Sequence, residues 1–355
     1  MNHKKQHCGS ETLPRPSTTA LDRTGQRRRI LLGAAAAGAA LPFARAGASG
    51  AAGEFPAKPI VLIVPFAAGG PTDVLARVIA EGMSRELRQP IIVENTPGAG
   101  GTVGNARAAR LAPDGYTLLI GNVGTLAANA TLYKKLPYDI LKDFIALGSV
   151  GDAPQVLSAR KDLAVSGLDQ FADYARAHAK DMNFGAAGVG SGSFLGGILL
   201  NDRLGLKINA VNYRGAGQAL NDVMAGHLDY LVDSSTTSVG YVNSGMVRGV
   251  AVLRPKRIAA LPNVPAAGES AFADLHYDIW NMLLVPAGAP VAVVARLSLA
   301  LRNAVAAPAT REKLAGSGIE APSDRNQTPE GAAELLHGEV QRWAPILTKL
   351  GITVD

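Results

Sequence analysis

The feature that most constrains this chain is the stretch from Pro59 to Asp73, PIVLIVPFAAGGPTD. Its run Ile60-Val61-Leu62-Ile63-Val64 is too short for a helix of its own and is wholly β-branched or aliphatic, so it reads as a buried parallel strand. Gly69 and Gly70 then let the chain turn without a Cβ in the way. From Val74 to Met83 the apolar residues recur with the spacing of one helical stripe. A strand passing to a helix through glycines leaves unpaired N–H groups at the helix mouth, beyond the strand's carboxyl end. Orphan donors and helix dipole act together there to attract anions. The turn, comprising Phe66, Ala68, Gly69, Gly70 and Asp73, is therefore expected to grip a carboxylate.

The N-terminus has a different character. Residues 1–29 are polar and basic and end in Gln26-Arg27-Arg28-Arg29; Ile30-Leu31-Leu32 and an alanine-rich run to Phe43 follow, then Ala44-Arg45-Ala46. This is the pattern of an export leader with a twin-arginine signature and an A-x-A cleavage site, and its apolar core is too short to span a membrane. Removing residues 1–46 takes away eight basic and two acidic residues and lowers the formal charge from +6 to zero. A nucleic-acid-binding reading thereby loses its support. The single cysteine, Cys8, lies inside the leader. The mature chain is expected to be a soluble periplasmic monomer without disulfides.

Along the rest of the chain, strands alternate with glycine-bounded helices. Pro90–Asn95 reads as a second strand, Thr96–Gly104 as a glycine-rich turn into a helix carrying Ala106 to Leu111, and Tyr116–Asn122 as a third strand. Three such units argue for a parallel, doubly wound sheet. Ile145–Val150 and Gln155–Ser158, separated by Pro154, are expected to carry the chain across to a second lobe. There the plan repeats: a helix from Leu168, a strand at Asn183–Ala186, a turn at Gly188–Ser193, and a strand at Ala210–Tyr213 running into Arg214-Gly215. A helix from Gln218 and a strand at Leu228–Asp233 ending in Ser234 follow. Ile279–Val285 then returns to the first lobe, which ends with helices at Pro290–Ala307 and Pro329–Leu350. Ligands of open α/β sheets bind at the carboxyl edges of the strands, which makes Asn122 and Ser234 candidate contacts.

Several chemistries lack their residues. The four histidines outside the leader, His178, His227, His276 and His337, are scattered without partners for a zinc site. There is no G-x-S-x-G elbow, no complete G-x-G-x-x-G and no phosphate loop. Ser191 and Ser193 sit where helix caps sit, with no evident base beside them. No catalytic residue, metal or cofactor is assigned. Asp73 has two readings, a first-turn acid complementing its helix dipole or an acceptor for a ligand ammonium or hydroxyl. Asp229 and Asp233 are likewise either ligand contacts or plain strand-end residues, and Arg214 either pairs with an acidic ligand or is a solvated surface group.

The order of motifs resembles the Bug-type solute receptors of tripartite tricarboxylate transporters across nearly all of the mature sequence. The resemblance is carried by Phe55-Pro56-Ala57-Lys58-Pro59-Ile60, Pro65-Phe66-Ala67-Ala68-Gly69-Gly70 with Asp73, and Glu94-Asn95 with Pro97-Gly98-Ala99-Gly100-Gly101. Pro113-Asp114-Gly115-Tyr116-Thr117, Gly190-Ser191, Tyr213-Arg214-Gly215 and Trp280 extend it. It implies a fold like that of type II periplasmic binding proteins, with two doubly wound α/β lobes joined by two crossing segments. The expected division is an export signal over residues 1–46, lobe 1 over 47–155 and 276–355, and lobe 2 over 156–275. It also implies one ligand carboxylate held by backbone amides of Phe66 to Asp73, and a second met around Gly190–Ser193 and Tyr213–Gly215. One departure is Phe194 before Leu195, where the family commonly has a histidine; bulk there would change that side of the cleft.

The expected function is capture of a small carboxylate for delivery to membrane permease subunits. A periplasmic sensor for a membrane kinase and a carboxylic-ester hydrolase using Ser191 are the competing classes.

Overall fold

Alternation along the first strand decides the architecture. In β1 (Ile60–Val64), Ile60, Leu62 and Val64 enter one apolar cluster and Ile63 enters another on the opposite face. Both faces must therefore be covered, as the unbroken aliphatic run demands. On one face lie Leu75, Ile79 and Met83 of α1 (Pro71–Leu87) and Leu297 and Leu301 of α8 (Val291–Ala306). Ala108 of α2 (Thr102–Ala109) and Leu336, Trp343 and Leu347 of α10 (Pro329–Lys349) join the cluster on the other. The computed structural model describes residues 55–354, so the expected leader lies outside the described residues.

β1 pairs in parallel with β2 (Ile91–Asn95) and with β3 (Thr117–Asn122). β3 pairs antiparallel with β9 (Asp278–Pro286), and β9 with the long β4 (Phe144–Ala159). The far end of β4 pairs antiparallel with β7 (Tyr230–Ser234) and β8 (Arg248–Val252). β7 then leads in parallel to β5 (Asn183–Ala186), and β5 to β6 (Asn209–Asn212). The strand order is β2-β1-β3-β9-β4-β7-β5-β6, with β8 branching from β4. The remaining helices are α3 (Asn129–Leu132), α4 (Leu168–His178), α5 (Gly192–Leu204), α6 (Ala216–Ala225), α7 (Ser235–Asn243) and α9 (Pro308–Gly316). Two wound halves are thus joined by β4 and β9, which run side by side between them. Among the described residues no single helix is long and apolar enough to cross a membrane.

Three local differences from the sequence reading have physical causes. β4 is one strand rather than two. Pro154 makes the last rung with β9, opposite Asp278, and Gln155 the first with β7, opposite Ser234, so the missing N–H falls where the strand changes partner. α1 starts at Pro71 rather than Val74, with Gly70 as N-cap and the proline in the first turn, where its missing N–H costs nothing. α7, α9 and β8 have no strong sequence signal. α7 in particular is a serine- and threonine-rich helix started by the Ser234 side chain accepting from the Thr236 N–H.

The second half is centred on Phe184, fully buried and stacked on Tyr230 at 5.6 Å between ring centroids. Gly197 of α5 presses on that ring so closely that a Cβ would stand 2.3 Å from it. Phe184→Ala should therefore leave a cavity and cost about 3–5 kcal/mol. Urea titration followed by circular dichroism should show a lower midpoint with an unchanged slope.

Candidate functional site

The strand ends and helix starts meet in a narrow cleft. Phe66 and Gly70 come from the turn between β1 and α1, Pro71 and Thr72 from the first turn of α1, and Asn122 from the end of β3. Ala187, Ser191, Gly192 and Ser193 come from the passage between β5 and α5. Ala216 opens α6, Asp233 stands near the end of β7, and Ile279 projects from β9. A smaller void beside it is lined by Thr72, Asn122, Ser234, Thr236 and Asn281 among others. A wider outer groove shares Phe66 and Ala187 and runs past Gly98–Gly101 to Tyr213 and Arg214.

The turn after β1 is built around Asp73. Gly69, with φ of +81°, aims its N–H at Asp73 Oδ2 over 2.9 Å. Arg77 donates through Nε to Oδ2 and through Nη2 to Oδ1, each at 3.0 Å. Asn95 Nδ2 donates to Asp73 Oδ1 and to the Phe66 carbonyl, again at 3.0 Å. Burial works to raise the Asp73 carboxyl, but the hydrogen bonds from Arg77, Gly69 and Asn95 outweigh it, and the group titrates below its ordinary value. Both oxygens are thus engaged in the turn, and Asp73 is not among the cleft residues. Of the two readings of Asp73, the geometry is that of the first-turn acid, which here also holds the turn. Ala68 and Gly69 are exposed and stand outside the cleft lining, and the Gly69 N–H is committed to Asp73.

Other expected residues divide in the same way. Asn122 caps a π-helical turn, Val123–Ala128: its Oδ1 accepts from the N–H groups of Gly124 (3.0 Å) and Thr125 (3.2 Å). Its Nδ2 reaches Thr72 Oγ1 at 3.4 Å. Ser191 caps α5 by accepting from the Phe194 N–H at 3.2 Å, and Ser193 Oγ accepts from the Ala187 N–H at 2.9 Å. The two hydroxyls are 3.2 Å apart, and no histidine lines the cleft beside them. Gly190 is obligatory rather than contacting: at φ +83° a Cβ would lie 1.9 Å from Asn129 Oδ1. Ser234 lies in the adjoining void. Phe194 is buried in the apolar cluster and absent from the cleft lining, so its bulk does not alter that wall.

Tyr213, Arg214 and Gly215 stand at the seam rather than in the inner cleft. The Tyr213 hydroxyl donates to Asp222, and burial together with that carboxylate pushes it up to about 12. The Arg214 carbonyl accepts from the Ala67 N–H at 3.3 Å while its side chain lines the outer groove. A Cβ on Gly215 would come within 3.0 Å of Ala67 Cβ. Of the two readings of Asp229, the geometry is that of the strand-end residue. It precedes β7, at the end opposite Ser234, and its carboxylate accepts from Arg160 Nε (3.1 Å) and the Asn183 N–H (2.8 Å).

The sequence reading missed Thr72, Ala187, Ala216 and Ile279 as cleft residues and left Asp233 undecided. Their only signal was position, one or two residues from a strand end or inside a helix's first turn. Asp233 is fully buried, accepts from the Thr237 hydroxyl, and burial pushes its carboxyl up to about 6. Among the described residues, no cluster of His, Cys, Asp or Glu is arranged to hold a metal ion.

The halves meet across the cleft. Besides the Ala67–Arg214 bond, the Tyr133 hydroxyl donates to the Val189 carbonyl at 3.1 Å. Gly124 packs so tightly on the α5 entry that a Cβ would be 2.3 Å from the Gly190 carbonyl oxygen. Within the cleft, the starts of α1, α5 and α6 converge. First-turn N–H groups have no acceptor inside their own helix, and together they make an anion-attracting surface without a lysine or arginine in the lining.

This combination defines a two-lobed solute-binding protein. Residues 75–352 match the family model described as tripartite tricarboxylate transporter family receptor, and the chain belongs to that family. The solved structure of the periplasmic binding protein BugD is 33% identical, with a TM-score of 0.82, covering 85% of this chain and all of that one. MatC from Rhodopseudomonas palustris, solved with bound malate, is 35% identical with a TM-score of 0.79, over 82% of this chain and all of MatC. A UPF0065 protein of Agrobacterium vitis is 35% identical over 298 residues, 84% of this chain and 86% of its own length. The family is one of receptors, and its BugD neighbour is a periplasmic binding protein.

Asp73→Asn should lower the melting temperature at pH 7, with a loss of about 1–3 kcal/mol for the weakened charge-assisted bonds. The ranking of bound ligands should stay unchanged in a thermal-shift series. The folded Asp73 titrates low, so its contribution is complete above the ordinary carboxyl range and fades only as pH falls through the folded value. The wild-type advantage over Asp73→Asn should therefore be flat from pH 6 to 8 and shrink in acid.

Proposed function

We propose that this chain is an exported receptor that closes two lobes on a small carboxylate and presents the loaded form to membrane permease subunits of a tripartite transporter. In this reading residues 1–46 direct export by the twin-arginine route to the periplasm, where the mature chain acts as a monomer. Residues 47–155 and 276–355 form lobe 1, and residues 156–275 form lobe 2. The observation that carries the proposal is the convergence of the α1, α5 and α6 starts on one cleft with no cationic side chain in its lining. Main-chain donors satisfy a carboxylate without the desolvation cost of a buried lysine or arginine. Micromolar binding needs about −8 kcal/mol, within reach of several charge-assisted amide bonds once ordering costs are met. MatC with bound malate supports a carboxylate as the class of ligand.

Protein stripped by unfolding and refolding should be stabilised by about 2.7 kcal/mol at a ligand concentration a hundredfold above Kd. A thermal-shift screen of mono- and dicarboxylates reads this directly; a flat screen would reject the carboxylate reading. Gly70 lines the cleft, and a Cβ there would meet the Ala67 carbonyl oxygen at 3.5 Å and the Ala216 nitrogen at 3.9 Å. A methyl fits, but the branches of valine would reach further into the space between the turn and α6. Gly70→Val should abolish the ligand-induced shift while far-UV circular dichroism remains native.

A further inference from the structure

Asp233 is the one charged residue lining the cleft. It is 1% exposed, and no lysine, arginine or histidine stands beside it in that lining. Its protein partners are the Thr237 hydroxyl, which donates to Oδ2, and the Ser234 N–H. A carboxylate has about four acceptor positions, so this group faces the cleft with unmet capacity. A buried charge left in that state is costly, and burial accordingly raises its pKa. An unsubstituted carboxylate ligand brings only further acceptors and negative charge to this wall. A ligand that also carries an O–H or N–H donor would supply what Asp233 lacks, while its own carboxylate is held by the helix starts across the cleft.

We propose that Asp233 selects, among small carboxylates, those bearing a hydrogen-bond donor, a hydroxyl or an ammonium, on the carbon chain. The inference rests on the carboxylate-receptor reading and narrows its ligand class. Asp73, whose oxygens are engaged by Gly69, Arg77 and Asn95, does not compete for this role.

Matched sets differing in one substituent test it by titration calorimetry on stripped protein: succinate, malate and aspartate; glutarate, 2-hydroxyglutarate and glutamate; propionate, lactate and alanine. Within at least one set the donor-bearing acid should bind at least about tenfold more tightly than its unsubstituted partner, the scale of one hydrogen bond to a charged group. The hydroxy and amino arms tell a neutral donor from a cationic one. In Asp233→Asn that preference should collapse, with the unsubstituted acid binding as well as before or better.

A preference that survives Asp233→Asn, or none in the wild type when some acids bind, overturns the inference and leaves the carboxylate reading standing. Binding by no member of any set overturns both. Should Asp233→Asn fail to fold, Thr237→Val decides: removing the hydroxyl that partners Oδ2 leaves the ligand donor more in demand, so the preference should widen. An unchanged preference in that variant counts against Asp233 as the selector.

Discussion

An N–H group in the first turn of a helix has no acceptor within that helix, and the whole site follows from where this chain places such groups. Three helices begin at the same cleft, each straight after a strand, and a glycine or a small capping residue stands at each start: Gly70, Ser191 and Gly215. Gly70 and Gly215 leave the donors at their helix starts uncovered, while Ser191 takes only the Phe194 N–H of α5, so a solute carboxylate can take the place water would otherwise hold at the remaining donors. The sheet supplies only the alignment, by ending its strands at a common edge.

Holding those donors in place takes a second set of contacts. Asp73 gathers Gly69, Arg77 and Asn95 and so fixes the turn after β1. Asn122 does the same for the turn after β3. Ser191 and Ser193 tie the α5 start back to Ala187 and Phe194. Each fixes local geometry, and Asn122, Ser191 and Ser193 do so while lining the cleft. Asp233 is different, because its protein partners come only from its own neighbourhood at the end of β7 and its side chain lines the cavity.

Much of the fold was legible because its signals are local. The aliphatic run Ile60–Val64 demanded cover on two faces, and the helices Leu168–His178 and Pro329–Lys349 showed their stripes. The candidate site was legible as turns but not as side chains. Asp73 and Asp229 are alike in the sequence as acids near element ends; what separates them from Asp233 is which long-range partner arrives, Asn95 for one and Arg160 for the other. Such partners come from pairings across the sheet, which no window of sequence contains. The same holds for Ile279, which entered the cleft only because β9 crosses behind it.

The two crossing strands pair with one another from Phe144 opposite Pro286 to Pro154 opposite Asp278, with register shifts between Ala146 and Gly148 and between Ser149 and Gly151. They form a ribbon rather than two separate tethers, and a ribbon flexes and twists far more readily than it shears. Sliding one half past the other would break that ladder, while a bend across it would leave the pairing intact.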